Sequence, residues 1–255
     1  MSNSDLSENA SSSTVSSMSV EFTEVGLAPH FVDYAAAWDL QRTIHAGVVA
    51  GSTANTALLL EHAAVYTAGK RTEDHERPFD GTPVINVDRG GKLTWHGPGQ
   101  LVMYPIVHLA DAHSIRAYVY ALEDIIIEVL AHFKLDGVRV EGRAGIWILA
   151  DDKGPTRKIA AIGIRVHDGV TMHGIAINAN NSLAPYNQII ACGIADAGTT
   201  TMQAETGQDI KPSDLLPFVK IATDRFLAPL ISAIAPHDNS AADAPSSASS
   251  EGGLS

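Results

Sequence analysis

The stretch "GVRVEGRAGIWILADDKGPTRKIAAIGIRVHDGVTMHGIAINAN", residues 137–180, decides the fold. Four short apolar runs follow one another in it: GVRVE, AGIWILA, KIAAIGIRV and VTMHGIAINAN. Turn residues separate them, and no helical repeat lies between. DDKGPTR, residues 151–157, reads as a hairpin loop, with Gly and Pro marking the reversal. Strands joined by such short turns pair antiparallel, whereas parallel neighbours need a long crossover. The stretch therefore predicts a largely antiparallel sheet.

Moving outward, the chain alternates between strands and helices. NTALLLEH, AAVYTAG, PVINVDRGG and QLVMYPIVHL read as further strands. Pro105 suggests that the last is an edge strand or carries a bulge, because proline cannot donate to a ladder. After Ser114, apolar side chains recur at Tyr118, Leu122, Ile125, Ile126, Val129, Leu130 and Phe133. That spacing is one face of a helix. DYAAAWDLQRTIHAGVVAG predicts a helix capped by Asp33 and ending near Gly51. SDLLPFVKIATDRFLAPLISAI predicts a closing helix with Ser213 as its cap and Pro217 in its first turn. Strands and helices mix without strict alternation. The expected class is mixed α/β (α+β): a single domain with a largely antiparallel mixed sheet flanked by helices. It is expected over residues 21–236. The Ser/Asn-rich residues 1–20 and the Ala/Ser/Gly-rich residues 237–255 bury too little apolar surface to order, so they are expected to be disordered tails.

Composition limits what such a domain does. The chain of 255 residues carries a net charge of −12, which argues against nucleic acid as a partner. Of the 17 Lys+Arg and 29 Asp+Glu, 13 of each lie between Lys70 and Arg165. That segment is neutral, and the rest of the chain holds the whole negative excess. The middle is where a basic patch for an acidic partner would form, although a mixed solvated surface accounts for the same numbers. No apolar run reaches the ~18 residues of a membrane span. The polar N-terminus has neither the basic nor the apolar region of a secretory signal. With one Cys and so no intrachain disulfide, a cytoplasmic location is expected.

Chemistry concentrates in a few places. DRGGKLTWHGPGQ, residues 88–100, packs four glycines with Arg89, Trp95 and His96. Glycines let a backbone approach a ligand closely. The pattern is neither a P-loop nor a dinucleotide fingerprint, and two ordinary turns around a strand explain part of it. Lys158 opens an apolar strand, where it is either a surface residue or a cation beside a cleft. His173-Gly174 interrupts another strand. The 11 His include no zinc-site spacing, so no metal is expected. Cys192, the single cysteine, sits in NQIIACGI (residues 187–194). It is either a small buried hydrophobe or a nucleophile. A free thiol titrates near about 8.5, so a nucleophile there needs a cation beside it.

Taken together, RGGKLTWHGPGQLVMYPI, GIWI, KIAAIGIRV, TMHGIAIN and IIACGI, in that order, resemble the lipoate–protein ligase B family, the octanoyl-[acyl-carrier-protein]:protein N-octanoyltransferases. The resemblance spans roughly residues 55 to 200. It implies a biotin/lipoate protein ligase-like fold, with Cys192 as the acyl-carrying nucleophile and Lys158 as its partner. It implies that Arg89, Gly90, Gly91, Lys92, Leu93, Thr94, Trp95 and His96 line the acyl site. Ala161, Ile162 and Gly163, with Gly174, Ile175 and Ala176, would supply its walls, and His173 would orient it. Trp95, Ile162 and Ile175 would hold the acyl chain.

The same resemblance implies octanoyl-acyl-carrier protein as donor. The acceptors would be the lipoyl domains of 2-oxoacid dehydrogenase E2 subunits and the glycine cleavage H protein. It implies no cofactor, no membrane partner and a monomer. Two departures from the family's pattern stand out: Ala191 where it often has proline before Cys-Gly, and Ser182 in place of an acid in NANNSL. An ATP-using lipoate or biotin ligase, and a non-catalytic acyl-carrier-binding module, are the alternatives that the sequence leaves open.

Overall fold

The computed structural model describes residues 19–79, 81–189 and 198–233. In chain order its elements are β1 (Glu21–Gly26), α1 (Tyr34–Val49), β2 (Thr56–Leu60), β3 (Val65–Ala68), β4 (Val84–Asn86), β5 (Leu93–His96), β6 (Gln100–Ile106), α2 (Ile115–His132), β7 (Val138–Val140), β8 (Arg143–Ile148), β9 (Arg157–His167), β10 (Val170–Asn178), β11 (Gly198–Thr199), α3 (Met202–Thr206) and α4 (Pro212–Leu227). Among the described residues, eight strands form one sheet ordered β1-β2-β6-β10-β9-β8-β7, with β11 beside β9. Three more form a small sheet, β4-β3-β5. The class is mixed α/β, as the sequence predicts. The strands of residues 137–180 pair with one another antiparallel, whereas β1–β2, β3–β4 and β9–β11 are parallel pairs.

The strands bury both faces because successive side chains point to opposite sides. Leu59, Leu101, Met103, Ile175 and Ile177 face α2 and α4 in the main core. Their neighbours Leu58, Leu60, Val102, Tyr104 and Ala176 face the other way, in a cluster with Leu40, Ile44 and Val48 of α1. Val20, inside the expected N-terminal tail, is buried in the main core.

Three local readings differ from the structure. β6 is an interior strand between β2 and β10, so Pro105 marks no edge. Its ladder to β10 ends at Met103↔Ile175. There β10 departs from the regular strand, with His173 at φ 59°. The Thr171 hydroxyl then donates to Pro105 O at 2.7 Å and accepts from Val107 N at 3.0 Å. A side chain thus closes the ladder that proline breaks. In α4 the cap is Lys211, not Ser213. Pro212 opens the helix, and the Asp214 carboxylate accepts from Lys211 N at 2.8 Å. Pro217 consequently lies beyond the first turn, inside the helix. Asp33 does cap α1, accepting from Ala36 N at 3.0 Å. Among the described residues no helix is long and apolar enough to cross a membrane.

Candidate active site

A cavity of about 290 Å³ opens where the α1 face of the large sheet meets the small sheet. That is near the lower end of the ~300–1,000 Å³ usual for ligand pockets. Two strands build its side wall. β9 contributes Lys158, Ala161, Ile162 and Gly163, and β10 contributes His173, Gly174, Ile175 and Ala176. The two triplets pair directly, Gly163 with Gly174, Ile162 with Ile175 and Ala161 with Ala176. Small residues here keep the wall flat: a Cβ at Gly163 would lie 2.9 Å from Arg89 Cδ, and one at Gly174 would strike Met103 O.

Lys158 lines this cavity with only 8% of its surface exposed. Its ammonium lies 5.3 Å from the centroid of the Trp147 ring, a cation–π distance. Gly145 makes the room. It holds φ at 94°, and a Cβ there would come within 2.7 Å of Lys158 Cε.

The RGG segment forms the facing wall. Arg89 is buried and built into it, donating to Thr67 O at 2.9 Å, Thr67 Oγ1 at 2.8 Å, Lys92 O at 2.9 Å and Gly90 O at 3.0 Å. The guanidinium braces its own loop against β3. Gly91 and Lys92 line the cavity. Gly90 does not; its N–H ties the loop to Ile164 O of β9 at 2.9 Å. Along β5, Thr94 and His96 face the cavity, while Leu93 and Trp95 point away. These two pack with Tyr66, Ala68 and Ile189 in a separate apolar cluster. Trp95, expected from the resemblance to hold the acyl chain, does not line this cavity, because period-two alternation turns it outward. Ile162 and Ile175 border the cavity, but both pack into the main core, on the side of the sheet away from α1.

The sequence reading missed Tyr34, Arg71, Tyr104, Gly142, Arg143 and Ala144, all of which line it. The floor is buried and polar but uncharged. Tyr34 hydrogen-bonds Tyr104, which donates to His62 Nε2 at 2.8 Å. His62 Nδ1 in turn donates to Val32 O at 3.0 Å. Burial pushes Tyr34 up to about 12 and His62 down to about 4. His96 donates from Nδ1 to Gln100 Oε1 at 2.7 Å, and burial lowers it to about 3.

His173 is 1% exposed. A carboxylate only accepts, so Nε2 carries the proton and donates to Asp88 Oδ1 at 2.7 Å. Asp88 also pairs with Arg165. The hydrogen bond from His173 holds Asp88 down at about 2. Burial lowers the His173 pKa. Its Nδ1 is thus a buried lone pair, and no described group bonds it.

Cys192 lies outside the described residues. The described chain flanking its segment is fastened on both sides. Ile189 packs beside Leu93 and Trp95. Gly198 and Thr199 pair with Arg157 and Lys158, beyond the last β10 partner of β9 at Ala160. Among the described residues no three His, Cys, Asp or Glu group as metal ligands.

Residues 33–222 match the family model described as the lipoyl protein ligase A/B catalytic domain. The chain is 71% identical over 202 residues to an octanoyltransferase of Renibacterium salmoninarum, covering 79% of this chain and 87% of that protein. It is 67% identical over 199 residues to an octanoyltransferase of Paenarthrobacter aurescens, covering 78% and 90%. Among solved structures it resembles a bipartite lipoate protein ligase from Thermoplasma acidophilum, with a TM-score of 0.56 at 10% identity over 82% of this chain and 83% of the other. It also resembles lipoate-protein ligase A bound with ATP, with a TM-score of 0.55 at 10% identity over 82% and 85%. At such identity these two likenesses speak for the fold alone.

Proposed function

The chain belongs to the lipoyl protein ligase A/B catalytic domain family and is an acyltransferase, and from that premise we propose that it moves an octanoyl group from octanoyl-acyl-carrier protein to a lysine of lipoyl domains. The acceptors are those of the 2-oxoacid dehydrogenase E2 subunits and the glycine cleavage H protein. The observation that carries this reading is the setting of Lys158. It is a buried cation on the wall of a small cavity, on the strand that receives the chain emerging from the Cys192 segment.

Cys192 is the nucleophile in this reading. The Lys158 ammonium favours its thiolate, which attacks the thioester carbonyl of the donor. A new C–S bond forms, the old one breaks, and the carrier leaves as a thiolate that takes up a proton. This exchange of one thioester for another is near neutral in energy and needs no ATP. The β9–β10 wall, with its backbone at Ile162 and Ile175 and its small residues Ala161, Gly163, Gly174 and Ala176, flanks the acyl chain, and the backbone of the RGG loop lies across from it. The acceptor amine then attacks the acyl-enzyme and an amide forms, regenerating the Cys192 thiol. Lys158 is in place to relay the proton that the amine loses. The His173 Nδ1 lone pair, held in that tautomer by Asp88, offers one acceptor to a substrate N–H. The protein works as a cytoplasmic monomer.

Intact mass after mixing the full chain with octanoyl-acyl-carrier protein tests the reading. One added octanoyl group without ATP, labile to hydroxylamine and absent in Cys192→Ser, is the expected result. A reaction that requires ATP identifies a ligase instead. Carrier binding with no adduct and no transfer makes the chain a binding module.

A further inference from the structure

The cavity is polarised along its depth. Its floor, formed by Tyr34, Tyr104, His96 and His173, is buried and uncharged. Arg71, Gly142 and Ala144 at its mouth are exposed, and Lys92 and Arg143 are half-buried. Among the described residues lining it, none is Asp or Glu, whereas Arg71, Arg89, Lys92, Arg143 and Lys158 are all cations. A concave site with charges of one sign focuses its field and gathers the opposite ion. Such a lining is notable in a chain whose net charge is −12.

Position along the depth divides the work. Lys158 lies within, beside Trp147. Lys92 is already paired, with Glu76 at 2.5 Å and Glu73 at 3.1 Å. Arg89 is buried and bonded into its own loop. The arginines at the exposed end of the lining are Arg71 and Arg143; Arg143 also lies over the Trp147 ring at 5.6 Å. The backbone holds both near the RGG loop or the Lys158 strand. Residues 69–71 run along that loop, with Gly69 N donating to Lys92 O, Lys70 N to Arg89 O and Arg71 N to Gly91 O at 3.1–3.4 Å. Arg143 begins β8, which pairs with β9 at Trp147↔Lys158.

We infer that Arg71 and Arg143 form an anion subsite at the cavity mouth that takes the phosphodiester of the donor's phosphopantetheine arm. The inference rests on the transfer reading above and deepens it. A thioester seated near Lys158 leaves its arm running outward past the rim. The arm is a chain of neutral amides whose fixed charge is the phosphate that joins it to the carrier. Arginine suits that group, since its planar fork meets two phosphate oxygens at once.

The test is direct binding to the full chain by calorimetry. It compares S-octyl-phosphopantetheine with S-octyl-pantetheine, thioethers that cannot be transferred. The phosphorylated ligand is expected to bind about tenfold more tightly or better, the worth of a charge-assisted contact. That preference should shrink as salt rises and fall toward unity in Arg71→Ala and Arg143→Ala. Arg→Lys at either position should recover only part of it. Equal affinity for the two ligands, or a phosphate preference retained in both alanine variants, overturns the subsite. So does a loss in those variants that is equal for both ligands, because the arginines then act on the arm or the fold rather than on phosphate. The intact-mass experiment with octanoyl-acyl-carrier protein stands apart. An absent adduct alongside phosphate-dependent binding refutes the transfer reading and leaves the subsite in place.

Discussion

The backbone N–H of Thr200 donates to the carbonyl oxygen of Lys158 at 2.8 Å. The chain that follows the Cys192 segment is thereby stitched to the strand that carries the buried lysine. A salt bridge secures the stitch. Arg157 reaches Glu205 with two bonds of 2.6 Å and Asp151 with bonds of 2.9 and 3.0 Å, and the Thr200 hydroxyl also donates to Glu205.

Glu205→Ala should therefore cost stability and transfer together. Removing one partner of a buried pair costs about 3–5 kcal/mol, and the low end applies because Asp151 still faces Arg157. Urea unfolding should show the loss. Single-turnover acylation at a temperature where the variant remains folded should be slower, since the strand pairing beside Lys158 loosens. Wild-type acylation in a folded variant counts against this role for the bridge.

Gly145→Ala probes the lysine without touching it. The new methyl would fall on Ala160 O and 2.7 Å from Lys158 Cε, at a φ that side chains avoid. Acyl-enzyme formation is expected to drop about tenfold or more. Lys158→Met should drop it about a hundredfold or more, in the range for a lost proton-transfer group. Rapid-quench mass spectrometry reads both.

Chain-length preference should follow the wall rather than the tryptophan. Ala176 faces the cavity opposite Ala161, so Ala176→Leu should shift preference from octanoyl toward shorter donors. Trp95→Ala should leave that preference alone and lower stability by about 3 kcal/mol, because Trp95 belongs to the outer apolar cluster. Competition between hexanoyl and octanoyl donors distinguishes the two outcomes.

Acid should weaken the fold before it touches the carboxylates. His62 and His96 are held at about 4 and about 3 by burial, against about 6.5 when unfolded. The unfolded chain binds more protons below about pH 6.5, so stability falls from there down through pH 4 and then 3. The limiting slope is about 1.4 kcal/mol per pH unit for each ring. Urea midpoints between pH 7 and 4 should show the decline, and His96→Gln should flatten it. An unchanged slope in that variant would mean the ring is already charged in the fold.

Much of this architecture is legible in local sequence, and the exceptions have a common cause. The strand run of residues 137–180, the Asp33 cap and the α2 stripe depend on neighbours in the chain, and they read correctly. The cavity lining depends on pairings across the chain. Leu93 and Trp95 stand in the same glycine-rich segment as Thr94 and His96, yet only the register of β5 on β3 decides which pair faces the site. Arg71 resembles any surface cation until residues 69–71 lie along the RGG loop. Tyr104 resembles core, though a tyrosine hydroxyl in an apolar strand needs a partner, and that requirement was a signal. Pro105 reads as an edge because its compensation comes from Thr171, far along the chain.

The uncharged floor and the cationic mouth lie at opposite ends of one cavity, and this constrains the order of events. In the transfer proposed above, donor and acceptor would share the cationic mouth as their way to the acyl group. On that reading the spent carrier clears the mouth before a lipoyl domain docks. Steady-state rates should obey ping-pong kinetics, with parallel double-reciprocal lines as the acceptor is varied. Free carrier should compete with the acceptor, so the ratio of charged to uncharged carrier would set the pace of protein modification.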